Sequence, residues 1–486
     1  MTLVHRVLPP SPYLSLDEYV KAGGGRGLEN ARAVEPEAII GEIEASGLRG
    51  RGGAGFPTGR KWRSVASFAS EVVPTMIVVN AAEGEPGTLK DRTIIRRNPY
   101  EIIEGALIAA KALVASTIVI ATKASFTREV ERLAASVGEL RAAGWTDGVE
   151  ISIFEGPEEY LYGEETALLE AIDGRPPFPR IAPPYRRGVV EVVETDADAV
   201  SGSGLAAHVE MAGETDAPPV LVDNVETLAN VPKIIARGAA WFRTEGTDRS
   251  PGTLVCTVTG ATRRAGVGEV LMGTSLREAI AEVGGGPEDG QSIKAVMVGV
   301  SGALLGPDQL DTPLTYEDMA AAGSGLGSGS YLVFDQRDDL AAVAAGVARY
   351  LAVESCGQCT PCKEDGLEIA DRLATLCAGG ATEDDVRAIE ARLASVTTGA
   401  RCNLAAQQQT VVGSIVEWFG HELRSHLDPD TPAVEPMLVV DLLDIDDADQ
   451  TVVDERFRDK QPDWTYDELW SGKSPVERLI DHRDRR

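Results

Sequence analysis

Three cysteines fall at positions 356, 359 and 362, within "ESCGQCTPCKEDG", in a chain of 486 residues that holds only six. Nothing else in the sequence constrains the local fold as strongly, because a C-x2-C-x2-C run lets three sulfurs converge on one point. Thiolates are soft ligands that suit iron–sulfur clusters, zinc and copper(I). Each two-residue spacer makes a tight turn, and Pro361 is expected to block helix continuation and keep this loop open. A 4Fe–4S cluster needs four thiolates, the fourth commonly distant in sequence. Cys377 ends the helical pattern "GLEIADRLATLC", in register with Leu373 and Ala370, and reads as a core thiol. Cys402 lies in "TTGARCNLAA", a glycine-marked break between helical stretches, and is the expected fourth ligand. Cys256, mid-strand in "TLVCTVTG", reads as core. Zinc sites more often use separated CxxC knuckles or histidine, and the histidines nearby are His421 and His426. The spacing favours iron and sulfur over zinc.

Charge narrows the partners. The formal net charge is −30, against the basic stripes that general nucleic-acid binding requires. It also disfavours an anionic membrane surface as the main partner. The N-terminus "MTLVHRVLPPSPYLSLDEYV" has no basic region followed by an apolar one, so no signal peptide is expected. The most lipid-like stretch, residues 101–122, is interrupted by Glu104 and Lys111 and turns β-branched near its end. It reads as a helix running into a buried strand rather than a membrane span. A cytoplasmic location is expected, where a cysteine cluster is metal-binding or redox-active before it is a disulfide set.

The hydrophobic pattern predicts an irregular arm over 1–35, a helix from "EPEAIIGEIEAS", and then the glycine-rich loop "GLRGRGGAGFPTGRKW". A short buried strand, "MIVVN", runs into a loop with two glutamates, "AAEGEPGTLKDR". A helix over 101–113, a strand over 117–122, a polar helix around 127–143 and a strand over 149–156 follow. The next loop, "PEEYLYGEETALLEAIDG", opens a further helix. This alternation predicts a sheet with helices on its faces. The proline loop "PPFPRIAPPYRRG" cannot be regular structure, and the acidic stretch 190–220 reads as an insertion. "VDNVETLANVPKIIARG" reads as helical. Residues 253–300 predict a compact β-α-β unit, with "GSGLGSGSYLVFD" as the link to a mostly helical section that carries the cysteines. The acidic tail from 427 reads as an accessory extension lying on a surface, its own or a partner's.

Gly50-Arg-Gly52-Gly-Ala-Gly55 matches G-x-G-x-x-G but follows a helix, so the dinucleotide-binding context fails. Its physical use remains, since backbone free of side chains can approach a phosphate and aim N–H groups at it, with Arg51, Arg60 and Lys61 supplying charge. A purely structural turn is the other reading. The glutamate loops follow strands, where α/β folds converge on ligands. Glu164 and Glu165 also fit as acids complementing a helix start.

In this order "GLRGRGGAGFPTGRKW", "GEETALLE", "NVETLANVP", "GSGLGSG" and "ESCGQCTPCKEDG" resemble the flavin- and NADH-binding F-chain subunit of respiratory complex I, with its relatives in NAD-linked hydrogenases and formate dehydrogenases. The resemblance covers about 36 to 425. Between an N-terminal arm over 1–35 and an acidic extension over 427–486, it implies an α/β domain binding FMN and NAD over 36–250, a β-grasp-like (SLBB-type) domain over 251–335 and a helical 4Fe–4S domain over 336–426. It implies that Gly50, Arg51, Gly52 and Lys61 hold the FMN phosphate and ribityl. Asn80, Glu83, Tyr160, Gly163, Glu164, Asn224 and Thr227 would complete the flavin site, and Phe56, Glu85 and Glu165 would meet the dinucleotide. The cluster ligands carry over as Cys356, Cys359, Cys362 and Cys402.

Several positions depart from the family pattern. Ala82 stands for an Asp, Gly84 for a Ser, Tyr162 for a Cys and Asp223 for an Asn; Ser64 replaces an aromatic, Ala182 a Lys and Tyr185 a Phe. The mechanism implied is hydride from NADH to FMN, then single electrons through the 4Fe–4S cluster to a partner, with no side-chain acid, base or nucleophile needed. The expected partners are a thioredoxin-like 2Fe–2S subunit and a larger iron–sulfur or catalytic subunit, with the complex at the cytoplasmic face of a membrane. Two other readings stay open: an FMN and cluster relay with a non-nicotinamide electron partner, and a structural subunit without flavin.

Overall fold

The structure is a computed structural model that describes residues 3–69, 74–180 and 219–462. Where the sequence reads as an irregular arm, two short helices form, α1 (Leu16–Lys21) and α2 (Arg26–Arg32). Val7, Leu8, Leu28 and Ala31 from this segment are buried in the first core. Glu269 fastens it by accepting the backbone N–H groups of Arg6, Val7 and Leu8. The arm is thus integral to the fold, because a buried carboxylate satisfies its extended backbone.

Helix α3 (Pro36–Ser46) begins with proline in its first turn and stops at Gly47, as the pattern predicts. Helix α4 (Thr58–Ala66) follows the glycine loop. Strand β1 (Met76–Ala81), helices α5 (Lys90–Arg97) and α6 (Pro99–Ala112), strand β2 (Thr117–Lys123), helix α7 (Thr127–Ala142), strand β3 (Glu150–Gly156), helix α8 (Glu165–Ile172), strand β4 (Val220–Asn224) and helices α9 (Val225–Arg237) and α10 (Ala239–Phe242) complete the first unit. "VDN" therefore ends a strand rather than starting a helix. Ala182, Tyr185 and nearly all of the acidic stretch 190–220 lie outside the described residues.

The four strands pair in parallel in the order β3-β2-β1-β4. Alternation along them splits two cores, as successive side chains point to opposite faces. Ile77, Val79, Ile118, Ile120 and Leu221 face one core with α6 and α9, whereas Val78, Val119, Val220 and Val222 face a smaller one with Tyr162 and Leu168. Burial on both faces explains why these strands read as continuous apolar runs. The chain builds outward from β1 through β2 to β3 and then returns to β1's other side as β4. The loops that follow β1 and β4 border the crevice at the carboxyl ends, where such sheets take ligands.

A second sheet, in the order β6-β5-β8-β7, is formed by β5 (Thr253–Gly260), β6 (Gly266–Leu271), β7 (Ile293–Met297) and β8 (Ser330–Asp335). Helices α11 (Leu276–Gly284) and α12 (Tyr316–Ala321) belong to it. The segment read as a link is its strand β8, buried throughout and pairing with β5 and β7. The glycines just before it mask the strand signal.

Helices α13 (Leu340–Glu354), α14 (Thr360–Cys377) and α15 (Glu383–Ser395) and several short helical segments up to Ser425 build the cysteine-bearing section. Pro361 lies in the first turn of α14. It starts a helix rather than holding a loop open, since proline's missing N–H costs nothing in a first turn. The described part of the extension, with the hairpin β9 (Leu442–Ile445) and β10 (Thr451–Val453), packs on this chain and adds Val439, Val440 and Phe457 to the helical core. No helix among the described residues is long and apolar enough to cross a membrane.

Candidate functional site

Cys356, Cys359, Cys362 and Cys402 line one cavity, walled by Leu161, Ala400, Leu404 and Ala405. The C-x2-C-x2-C run bridges the end of α13 and the start of α14, with Gly357 at φ +70° making the bend. Cys402 arrives from the break after α15. Cys356 and Cys362 are buried, while Cys359 and Cys402 are partly exposed. Burial raises the Cys402 thiol pKa, a backbone hydrogen bond with Leu404 opposes it, and Cys356, Cys362 and Glu164 raise it further. A metal binds such a site as thiolates and releases their protons. Four thiols around an apolar-walled cavity fit the tetrathiolate set of a 4Fe–4S cluster. Cys377 is fully buried in the helical core, its pKa pushed up to about 12 by burial. Cys256 is buried in β5, likewise pushed up to about 12.

The glycine loop is closed by the Gly50 N–H donating to Phe56 O at 2.8 Å. Tyr316 of α12 braces it from the second sheet, its hydroxyl donating to Gly50 O at 2.7 Å. At Gly55, φ is +64° and a Cβ would stand 2.3 Å from the Tyr316 ring, so only glycine fits. Arg51 is enclosed: its guanidinium donates to Tyr316 Oη and Pro251 O, each at 3.0 Å, and its N–H to Thr227 Oγ1 at 2.8 Å. The charge expected of Arg51 is engaged in this bracing, and Thr227 holds loop backbone. Phe56 is exposed at the loop's outer edge, with the Arg60 guanidinium 5.8 Å from its ring. Gly52 packs close to Asn224, where an added Cβ would lie 3.2 Å from the asparagine Cβ.

Lys61, Glu165 and Asp223 meet at the crevice. Lys61 Nζ lies 2.6 Å from Glu165 Oε1 and 3.7 Å from Asp223 Oδ1, and donates to Val222 O at 2.5 Å. Burial opposes the charge on Lys61, but the two carboxylates outweigh it and raise its pKa. Burial lifts Asp223 to about 6 against the pull of Lys61 and of Trp62, whose Nε1 donates to it at 2.8 Å. One cation and two acids thus answer each other within the protein.

Asn80 and Asn224 sit in register at the ends of β1 and β4. Asn80 Nδ2 donates to Gly163 O at 2.8 Å, joining the two post-strand loops. Asn224 caps α9 by accepting from Glu226 N–H at 3.0 Å and donates to Asp91 at 2.6 Å. Glu83 is turned inward, accepting from Asp91 N–H at 2.9 Å and pairing with Arg92 at 3.0 Å. Its carboxylate anchors the start of α5. Glu164 caps α8 through the Thr166 and Ala167 N–H groups, and burial raises its pKa.

Glu85 and Tyr160 connect this crevice to the cysteines. Glu85 accepts from Val300 N–H at 2.7 Å and from Tyr160 Oη at 2.6 Å, and Gln407 Nε2 donates to Tyr160 Oη at 2.8 Å. Gly299, at φ +51°, makes room, since a Cβ there would lie 2.2 Å from Glu85 Oε1. Burial raises the pKa of Glu85 and, more strongly, of Tyr160. Sequence reasoning does not find Gln407, Tyr316, Asp91 or Glu354. Gln407 follows Cys402 by five residues and Glu354 precedes Cys356 by two, and that proximity is the only local signal for them. Tyr162, where the family pattern has a Cys, is fully buried against Phe154 and Thr122 O.

A model described as the Nuo51 FMN-binding domain matches residues 43–233, and one described as the NADH-ubiquinone oxidoreductase-F iron–sulfur binding region matches residues 342–426. The F 2 subunit of the NADH-quinone oxidoreductase of Rhizobium meliloti (strain 1021) is 34% identical over 437 residues, covering 88% of this chain and 97% of that protein. The HndC subunit of the NADP-reducing hydrogenase of Solidesulfovibrio fructosivorans is 32% identical over 423 residues, covering 85% and 81%. Among solved structures, an NAD+-reducing [NiFe]-hydrogenase in the H2-reduced state superposes with a TM-score of 0.72 at 31% identity, over 87% of this chain and 69% of that one.

Proposed function

The chain belongs to the family of NADH-quinone oxidoreductase F subunits, and from this we propose that it exchanges hydride with NADH at FMN and passes single electrons through one 4Fe–4S cluster to partner subunits. The observation that carries this reading is the convergence of four cysteines on a cavity beside α8, whose first residue also pairs with Lys61 in the crevice of the parallel sheet. FMN bound there would supply the conversion between a two-electron donor and one-electron carriers, and the cluster an outlet for single electrons.

The protein's own groups bind, orient and balance charge. The glycine loop offers backbone to a phosphate, with Gly50 and Gly52 allowing close approach and Lys61 contributing charge. Asn80, Gly163, Asn224 and Thr227 fix the loops that line the crevice. Phe56 offers an exposed ring edge, and Glu165 a carboxylate, to a dinucleotide. Tyr160, Glu85 and Glu164 stand between the crevice and the cysteines and exclude water from that path. Cys356, Cys359, Cys362 and Cys402 hold the cluster. We assign the FMN and NAD domain to 36–250, a β-grasp-like domain to 251–335 and the helical cluster domain to 336–426. A thioredoxin-like 2Fe–2S subunit and a larger iron–sulfur or catalytic subunit are the partners this implies, with the complex at the cytoplasmic face of a membrane.

Anaerobic mixing with NADH tests the reading. Purified protein carrying FMN and the cluster is expected to lose its flavin absorbance on addition of NADH. A flavin that stays oxidised at millimolar NADH would remove the dehydrogenase reading. It would favour a relay with another electron donor, a reading motivated by Glu85, whose two oxygens are both engaged within the protein.

A further inference from the structure

The C-terminal extension lies beyond both matched family segments, the second of which ends at residue 426. It crosses three parts of the molecule. Met437 N–H donates to Ala342 O on α13 at 2.9 Å. Asp441 pairs with Lys123 at the end of β2 at 3.1 Å, and Asp444 with Arg96 of α5 at 2.6 Å. Ala265 N–H, beside β6, donates to Asp449 O at 2.8 Å. The extension then returns to the helical section, where Phe457 stacks on Tyr350 with ring centroids 5.5 Å apart.

Among the described residues, its last ion pair is made at Glu354, two residues before Cys356. Lys460 Nζ forms an ion pair with Glu354 Oε1, and the two side chains are only 3% and 2% exposed. Arg349 Nη2 fixes the approach by donating to the carbonyls of Arg458 and Lys460, each at 2.8 Å. Glu354 is the final residue of α13, two before Cys356. Its second oxygen accepts from Tyr160 N–H at 2.9 Å. One carboxylate thus joins a cation of the extension to the segment that carries Tyr160 and Glu164. A buried pair that loses one member leaves an uncompensated charge. The potential of an iron–sulfur cluster responds to the net charge and hydrogen bonding around it.

We propose that Lys460 is a positioning residue for electron transfer: by neutralising Glu354 and holding it against Tyr160, the extension sets the charge beside the cluster and with it the cluster's reduction potential. The inference rests on the 4Fe–4S reading above. A bare Glu354 carboxylate beside the cysteines opposes the arrival of an electron and lowers the potential. An unpaired Lys460 ammonium raises it.

The test uses the full chain purified with its cluster, with iron and sulfide counted and the midpoint potential followed by EPR during a redox titration. Lys460→Met is expected to titrate at a lower potential than the native protein and Glu354→Gln at a higher one. The double variant is expected to return close to the native value, and Lys460→Arg to keep it. Native potentials in both single variants would overturn the proposal, because the pair would then only fill space. A double variant displaced as far as Lys460→Met would also overturn it, since charge would not be the cause. If Lys460→Met does not retain a cluster, Glu354→Gln and the double variant decide by the same criteria. Native protein without iron and sulfide removes the cluster reading, and this inference with it, an outcome that the metal count alone identifies.

Discussion

Lys61 and Glu165 carry separate expected tasks, one on the flavin and one on the dinucleotide, yet they form a 2.6 Å ion pair. Contacting residues do not contribute additively. Lys61→Ala is expected to lower the FMN bound per chain, and Glu165→Ala to keep FMN while slowing its reduction by NADH several-fold, the scale of a lost hydrogen bond of about 0.5–1.5 kcal/mol. The double variant should bind no less FMN than Lys61→Ala alone; flavin released by heat and stopped-flow absorbance check both. Iron content separates the thiols: Cys359→Ser and Cys402→Ser should lose the cluster, whereas Cys377→Ser, in the helical core, should keep the native iron count. The cysteines are legible in the sequence because spacing alone brings three of them together. The tasks of Arg51 and Glu83 are not, because they are set by Tyr316 and Arg92, partners that no local pattern announces.

Helices α6 and α9 carry a pH dependence. Glu101 of α6 pairs with Lys233 of α9, and burial pushes the Glu101 pKa up to about 7 against that partner's pull. A carboxyl raised above its unfolded value binds its proton more tightly in the folded state. Its contribution to stability is full below the unfolded pKa near 4.5 and is lost as pH rises through about 7. The stability difference between native protein and Glu101→Gln should therefore move against the native protein between pH 5 and 7, by up to about 1.4 kcal/mol per pH unit. Denaturant unfolding at several pH values measures it, and a flat difference would show that Glu101 does not titrate there. At this scale the parallel strands are readable from their apolar runs and the helices from their periodicity. Strand β8 is hidden by the glycines before it, and α1 and α2 by short length and by a partner far along the chain, Glu104, which accepts from the Tyr19 hydroxyl and the Gly25 and Leu28 N–H groups.

The molecule as a whole is held by contacts between residues remote in sequence, such as Tyr160 with Gln407 and Lys460 with Glu354. A chain ending at His426 loses the buried Val439, Val440 and Phe457 side chains. At roughly 1.5–3 kcal/mol per fully buried apolar side chain, it is expected to unfold at a clearly lower temperature in calorimetry, with the helical section affected first. An unchanged transition would show that the extension adds nothing to stability. The sequence marks this tail as acidic and accessory but not where it lies, because its anchors are single residues meeting three different surfaces. Synthesis runs from the amino end, so Lys460 emerges after its partners Glu354 and Arg349. Until then Glu354 lacks the cation that it pairs with in the folded chain. The buried charge of Glu354 is answered only when residue 460 docks, which makes the order of folding, and not only its product, a property written into the order of the chain.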